Sequence, residues 1–206
     1  EWFSTLFNTL KIEDYIKENL AIMEKLDPEN KVGFYVDEWG TWYDVEDGED
    51  PGFLYQQNTI RDALVASVNL NIFHQYAERI QMSNIAQMVN VLQAMILTDK
   101  EKMLLTPTYH VFKMYIPFQD ATSLPITING DKGYSLGEDK IPTVSASAAR
   151  DKKGKLWLAL ANTHPTEATD VTINTGSKIK QAKGSLLTAK AMDAHNTFKN
   201  PNAVKP

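Results

Sequence analysis

Apolar residues recur at close to helical spacing from Ile12 to Leu26, at Tyr15, Ile16, Leu20 and Met23 among others. This predicts a surface helix, which Asp27-Pro28 ends because proline disfavours the helical region for its predecessor. The pattern then turns nearly continuous at Val32-Gly33-Phe34-Tyr35-Val36, the signature of a strand buried on both faces, as in a parallel sheet. That strand is expected to end at Asp37-Glu38. After a loop from Gly40 to Gly52, helical spacing resumes from about Thr59 to Arg79, with Leu64, Val68, Ile72, Phe73 and Tyr76 on one side. Ile80 to Ile85 reads as a second strand. Thr106-Pro107 has the form of a helix N-cap followed by proline at the first helical position, opening a helix that runs to Pro117. Helix, strand, helix, strand, helix in that order predicts βα units and a parallel sheet.

Beyond Phe118 the period changes to two. Pro125–Gly130, Thr143–Ala149, Leu156–Ala161 and Asp170–Asn174 are short strand candidates separated by turn residues such as Asp151-Lys-Lys-Gly154. They predict an antiparallel β domain, a sandwich. Composition divides at the same place. Three of four Trp, seven of eight Tyr, seven of eight Phe and six of seven Met lie at or before Phe118. Two units are therefore expected, 1–118 and 119–206.

Charge and cysteine content narrow the function classes. With 21 Lys and Arg against 26 Asp and Glu, the 206-residue chain carries a formal charge of −5, opposite to the basic stripe that tracks phosphates, so nucleic acid is not an expected partner. No cysteine is present, which excludes disulfides, thiolate metal sites and a cysteine nucleophile and leaves the compartment open. The apolar stretch Met88–Leu97 is about half the ~20 residues a membrane span needs, so no membrane partner is expected. The chain opens on Glu1, Trp2 and Phe3 without Met or a basic leader, which predicts that its true start lies elsewhere.

The strongest chemical signal is Val36-Asp37-Glu38-Trp39-Gly40-Thr41-Trp42-Tyr43-Asp44. A parallel strand here delivers two carboxylates at its C-terminal end, where α/β barrels place catalytic groups. Indole and phenol faces pack on sugar C–H faces while carboxylates bind hydroxyls, so acids interleaved with aromatics suggest a carbohydrate site. The alternative is a capping acid beside two core aromatics, since structural networks also hold perturbed carboxylates. Gln87, just past the second strand, can aim an amide into the same pocket. The acidic loop Asp44, Glu46, Asp47, Glu49, Asp50 reads as a solvated charge run, because its spacing does not match a calcium loop. His74, His110, His164 and His195 show no metal-ligand spacing, and no phosphate-binding glycine loop or serine elbow occurs.

Asp37-Glu-Trp-Gly-Thr-Trp-Tyr43 and Asn84-Ile-Ala-Gln-Met-Val-Asn-Val91 closely resemble the α-L-arabinofuranosidases of glycoside hydrolase family 51, and Leu104–Tyr115 resembles that family's last barrel helix. The resemblance implies a fold that is α/β plus all-β: the last two strands of a (β/α)8 barrel followed by an incomplete antiparallel β-sandwich. It implies a retaining glycosidase that releases terminal α-L-arabinofuranosyl groups from arabinan, arabinoxylan or oligosaccharides. Glu38 is then the nucleophile, Trp42 and Gln87 bind the sugar, and Asp37 and Trp39 support the nucleophile strand. No cofactor or metal is implied, and a homo-oligomer is. The family's acid/base Glu follows an Asn on an earlier strand, and nothing before Val32 offers that motif. The chain is therefore expected to be an internal piece, inactive alone, whose partner is the remainder of its own barrel. Two other readings are an endoglucanase of the same family and a non-catalytic carbohydrate-binding β module that uses Trp157.

Overall fold

The computed structural model describes residues 1–176 and 178–206. Three helices form the first layer: α1 (Trp2–Leu10), α2 (Ile12–Leu26) and α3 (Ile60–Gln75), with β1 (Phe34–Trp39) lying between α2 and α3 in sequence. β2 (Ile80–Ile85) pairs with β1 in parallel. The chain continues as a hairpin of β3 (Ile96–Asp99) and β4 (Lys102–Leu105), then α4 (Pro107–Tyr115). α2 and β2 have the bounds expected from the hydrophobic pattern. α3 stops four residues before Arg79, where its last N–H groups tighten onto His74 and Phe73 carbonyls. Thr106 caps α4 as the Thr-Pro pair predicts, its hydroxyl accepting from the Tyr109 N–H.

β1 differs from the expected doubly buried strand. Phe34, Val36 and Trp39 pack on the core, whereas Tyr35, Asp37 and Glu38 are exposed. Only the face toward the helices is covered, and β2 is its one sheet neighbour among the described residues. The strand also runs through Asp37-Glu38 to Trp39 instead of ending at the carboxylates.

The core on that covered face joins Ile16 of α2, Trp39, Ala66, Ile72 and Phe73 of α3, Ile80 of β2, and Val111 and Tyr115 of α4. Trp39 meets Phe73 edge-on at 5.4 Å and stacks on Phe112 at 6.0 Å. Such aromatic pairs add roughly 0.5–1.5 kcal/mol each beyond the area they bury.

After Phe118 the strands are β5 (Thr122–Leu124), β6 (Tyr134–Leu136), β7 (Asp139–Ile141), β8 (Val144–Arg150) and β9 (Leu156–Asn162). β5, β8 and β9 form one antiparallel sheet in that order, and β6 and β7 form a hairpin. Where an incomplete sandwich is expected, the described residues form these small sheets, and the three-stranded sheet lays one face on α3 through Asn71–Ser145 and His74–Ser147 contacts. Pro125–Gly130 is not a strand, because β5 ends just before Pro125, which has no N–H for a ladder. Asp170–Asn174 has strand-like alternation without a ladder partner, and no strand or helix is assigned among the described residues from 163 to 206. That segment instead returns to the first half: the Ile60 N–H donates to the Ala194 carbonyl, and Asn196 Nδ2 donates to the Leu105 and Val204 carbonyls. Among the described residues no helix is long and apolar enough to cross a membrane.

Candidate active site

The parallel pairing of β1 and β2 is not regular. Val36 opposes Ser83 and Trp39 opposes Ile85, so three steps on β1 match two on β2. This is a β-bulge at Asp37-Glu38, and its consequence follows from the period of a strand. Strict alternation would turn Glu38 toward the helices with Val36 and push Trp39 outward. The extra residue lets Val36 and Trp39 both face the core while Asp37 and Glu38 both stay exposed. Bulges commonly re-aim side chains next to active sites. Among the described residues nothing hydrogen-bonds the Glu38 carboxylate.

Beyond Trp39 the chain turns at Gly40, whose φ of +139° suits glycine alone. A Cβ there would also lie 3.3 Å from both the Ala86 carbonyl oxygen and Gln93 Oε1. The following residues are held by a buried polar network. Gln93 Oε1 accepts from the Thr41 N–H at 3.1 Å, and Gln93 Nε2 donates to the Asp62 carbonyl at 2.7 Å and to Thr108 Oγ1 at 3.3 Å. Gln56 Nε2 donates to Thr41 Oγ1 at 2.8 Å, and Gln56 Oε1 accepts from the Tyr43 N–H at 2.9 Å. Asp62 Oδ1 accepts from Thr41 Oγ1, and Asp62 Oδ2 accepts from the Thr59 N–H at 2.7 Å. Burial raises the Asp62 carboxyl above its ordinary range, opposed by Arg61 and these donors.

The same network reaches the loop after β2. The Ala86 N–H donates to the Trp39 carbonyl, and the Gln93 N–H donates to the Ala86 carbonyl at 3.0 Å. Trp42 and Gln87 therefore stand on two loops that are tied to each other and to the start of α3. Both side chains are exposed, Trp42 at 70%. Tyr43 is half-buried beneath the Arg61 guanidinium, 4.0 Å from the ring centroid, and burial, with the Asp62 charge second, pushes its phenol up to about 12.

Glu38, Trp39 and Trp42 line one cleft of about 340 Å³ that also touches α1, α2 and α3. Asp37 and Gln87 do not line it, and both are exposed. Trp39 is 6% exposed, and its indole N–H has no partner among the described residues. Trp157, the other aromatic candidate, is half-buried in β9: Nε1 donates to Asp151 Oδ2, and the Lys155 ammonium sits 3.6 Å from its ring centroid. The acidic loop gathers no metal site, since among the described residues no three His, Asp or Glu side chains are placed to hold an ion.

Four residues that organise the site, Thr41, Gln56, Asp62 and Gln93, are not evident as functional in the sequence. Thr59-Ile-Arg-Asp62 is the one legible part, because Thr followed three residues later by an acid before an apolar run is a capping-box pattern.

Comparison with known proteins adds family context. The family described as alpha-L-arabinofuranosidase C-terminal domain matches residues 37–206. The intracellular exo-alpha-L-arabinofuranosidase of Bacteroides ovatus is 48% identical over 207 residues, covering 100% of this chain and 40% of that protein. The structure of the family 51 arabinofuranosidase from Xanthomonas axonopodis pv. citri superposes with a TM-score of 0.87 at 46% identity, over 100% of this chain and 42% of that one. The Thermotoga maritima α-L-arabinofuranosidase, solved as an arabinose complex, shares the fold at a TM-score of 0.74 and 23% identity, over 100% of this chain and 44% of that one. The chain thus spans about two fifths of the length of these relatives.

Proposed function

Since the chain belongs to the α-L-arabinofuranosidases of glycoside hydrolase family 51, we propose that it supplies the nucleophile side of a retaining, exo-acting site for terminal α-L-arabinofuranosyl groups. β1 and β2 act as the last two strands of a (β/α)8 barrel, residues 1–118 ending that barrel and 119–206 beginning the β domain. The general acid/base comes from the remainder of the barrel. The observation that carries this reading is the bulge at Asp37-Glu38, which leaves Glu38 exposed near the C-terminal end of a parallel strand. That is where a barrel enzyme needs its nucleophile.

In the proposed reaction the Glu38 carboxylate attacks the anomeric carbon while the partner acid, about 5–5.5 Å away, protonates the leaving oxygen. Water then hydrolyses the glycosyl-enzyme with the partner acting as base, which returns the configuration to that of the substrate. Trp42 packs on the sugar ring and Gln87 hydrogen-bonds its hydroxyls. Trp39, fixed between Phe73 and Phe112, and Asp37, beside the nucleophile in the bulge, support the strand. Arabinan and arabinoxylan side chains are the substrate class.

Glu38→Ala in the whole enzyme tests the assignment. Hydrolysis of an aryl α-L-arabinofuranoside should fall by roughly 10³-fold or more, as for other lost nucleophiles, and azide or formate should restore part of it. Unchanged turnover would remove Glu38 from this role.

A further inference from the structure

Asparagine carries a slow reaction of its own, which makes it one of the thermolabile residues. The backbone nitrogen of the next residue attacks the carboxamide carbon and closes a five-membered ring. A side chain on that next residue hinders the approach, and hydrogen bonds to the carboxamide or to the attacking N–H hold the two apart. Asn129 is the one asparagine in the chain that a glycine follows.

The fold leaves this pair open. Asn129 and Gly130 lie in the loop between β5 and β6, and both are exposed. Gly130 has a φ of +78°, a conformation that favours glycine. Beyond its chain neighbours, no atom lies within 4 Å of where a Cβ would stand. Among the described residues neither the Asn129 carboxamide nor the Gly130 N–H has a hydrogen-bond partner. Other exposed asparagines are held: Asn90 Nδ2 donates to Thr98 Oγ1 and Asn90 Oδ1 accepts from the Thr98 N–H, while Asn174 Oδ1 accepts from the Gly176 N–H. Asp47-Gly48 in the acidic loop has the same form, but a carboxylate is a far weaker electrophile than a carboxamide.

A clamp stands two residues downstream. Asp131 Oδ1 accepts from the Gly133 N–H at 2.8 Å and the Thr143 N–H at 3.2 Å, and Oδ2 accepts from the Val144 N–H at 3.0 Å. The loop before β6 is thereby tied to the first residue of β8.

We infer that Asn129-Gly130 is a site of spontaneous modification, where Asn129 is converted to aspartate and isoaspartate, and that the isoaspartyl form loosens the Asp131 clamp. The Gly130 nitrogen bonds to Asn129 Cγ and gives its proton to solvent. The Cγ–Nδ2 bond breaks, and that nitrogen takes up a proton and leaves as ammonia. Water then opens the cyclic imide. Cleavage between Cγ and the Gly130 nitrogen gives aspartate. Cleavage between the Asn129 backbone carbonyl carbon and that nitrogen gives isoaspartate, whose main chain is one methylene longer. The net change is one water consumed and one ammonia released, with no oxidant or reductant. Both products add a negative charge, and isoaspartate alone lengthens the path to Asp131. None of this depends on the glycosidase reading.

The test incubates the whole wild-type enzyme at mildly alkaline pH, with and without guanidinium chloride. Digests are read by mass spectrometry and by methyl transfer from S-adenosylmethionine with a protein-isoaspartate methyltransferase. In the folded enzyme the peptide holding Asn129 should convert at least tenfold faster than those holding Asn90 and Asn174, and within threefold of its own rate in guanidinium chloride. A folded rate more than threefold below the unfolded one means that the loop is shielded, and overturns the site. Asn129→Gln, an exposed substitution that the fold tolerates, should abolish methyl acceptance by this peptide; acceptance unchanged across the whole digest also overturns it. The clamp is read by hydrogen exchange of residues 140–146. The acidic fraction of aged enzyme should exchange there at least threefold faster than Asn129→Asp, which carries the charge without the longer chain. Equal exchange overturns the coupling to Asp131.

Discussion

One carboxamide, Gln93, is satisfied at both ends by groups far away in sequence: its oxygen accepts from the Thr41 N–H and its nitrogen donates to the Asp62 carbonyl and the Thr108 hydroxyl. It is fully buried, so water cannot replace any of these bonds. Gln93→Met keeps the length of the side chain and removes both polar ends. It leaves the Thr41 N–H and the Asp62 carbonyl without this partner, at roughly 1–3 kcal/mol for each buried group stranded. The expected loss of about 2–6 kcal/mol should appear as a lower urea midpoint with an unchanged m-value. Because Thr41 adjoins Trp42, and the Gln93 N–H holds the Ala86 carbonyl next to Gln87, turnover should fall as well.

At the scale of elements, the start of α3 fixes the loop that carries the site. Thr59 and Asp62 cap it reciprocally, the Thr59 side chain toward the first turn and the Asp62 side chain toward the Thr59 N–H. Thr59→Ala should cost about 1 kcal/mol, within the usual range for a lost cap, measured by chemical denaturation. Which elements the sequence discloses depends on where their determinants lie. α2, β2 and the start of α4 are legible because periodicity, Asp27-Pro28 and Thr106-Pro107 are local signals. α1 is not among the expected elements, although Phe3, Leu6, Phe7 and Leu10 carry helical spacing. The β3–β4 hairpin turns at Lys100-Glu101, with Lys100 at a φ of +54°. It lacks the Asn-Gly or Asp-Gly pair that announces such a turn. The bulge in β1 is invisible locally, because register against β2 creates it. In the site, Glu38 and Trp42 stand out as acids and aromatics after a strand. Gln56 and Gln93 do not, since a buried amide is defined by partners such as Thr41, 52 positions from Gln93.

Across the whole molecule α3 is the shared support, packed by α1, α4 and β8, with the 194–204 segment closing over its start and over the end of β4. The seam with the three-stranded sheet is polar and fully paired around Asn71. Its one titratable member within physiological reach is His74. The ring stacks on Phe118 at 4.8 Å, lies 5.7 Å from Tyr115, and its Nδ1 is 2.9 Å from Ser147 Oγ. Burial lowers its pKa from 6.5 to about 4, so the folded protein holds a neutral imidazole. As pH falls below 6.5 the unfolded chain takes up a proton that the folded chain refuses until pH nears 4. The contribution of this site to stability is therefore complete above pH 6.5 and is lost progressively toward pH 4, by at most about 3 kcal/mol at 1.36 kcal/mol per pKa unit. His74→Phe keeps an aromatic ring against Phe118 and removes the titration. Denaturation midpoints measured from pH 7.5 to 4 should fall more steeply for the wild type than for this variant, with the divergence confined to the window between 6.5 and 4. Parallel curves across that window would mean that His74 is hydrated and titrates normally, and that the seam between α3 and the sheet opens to solvent.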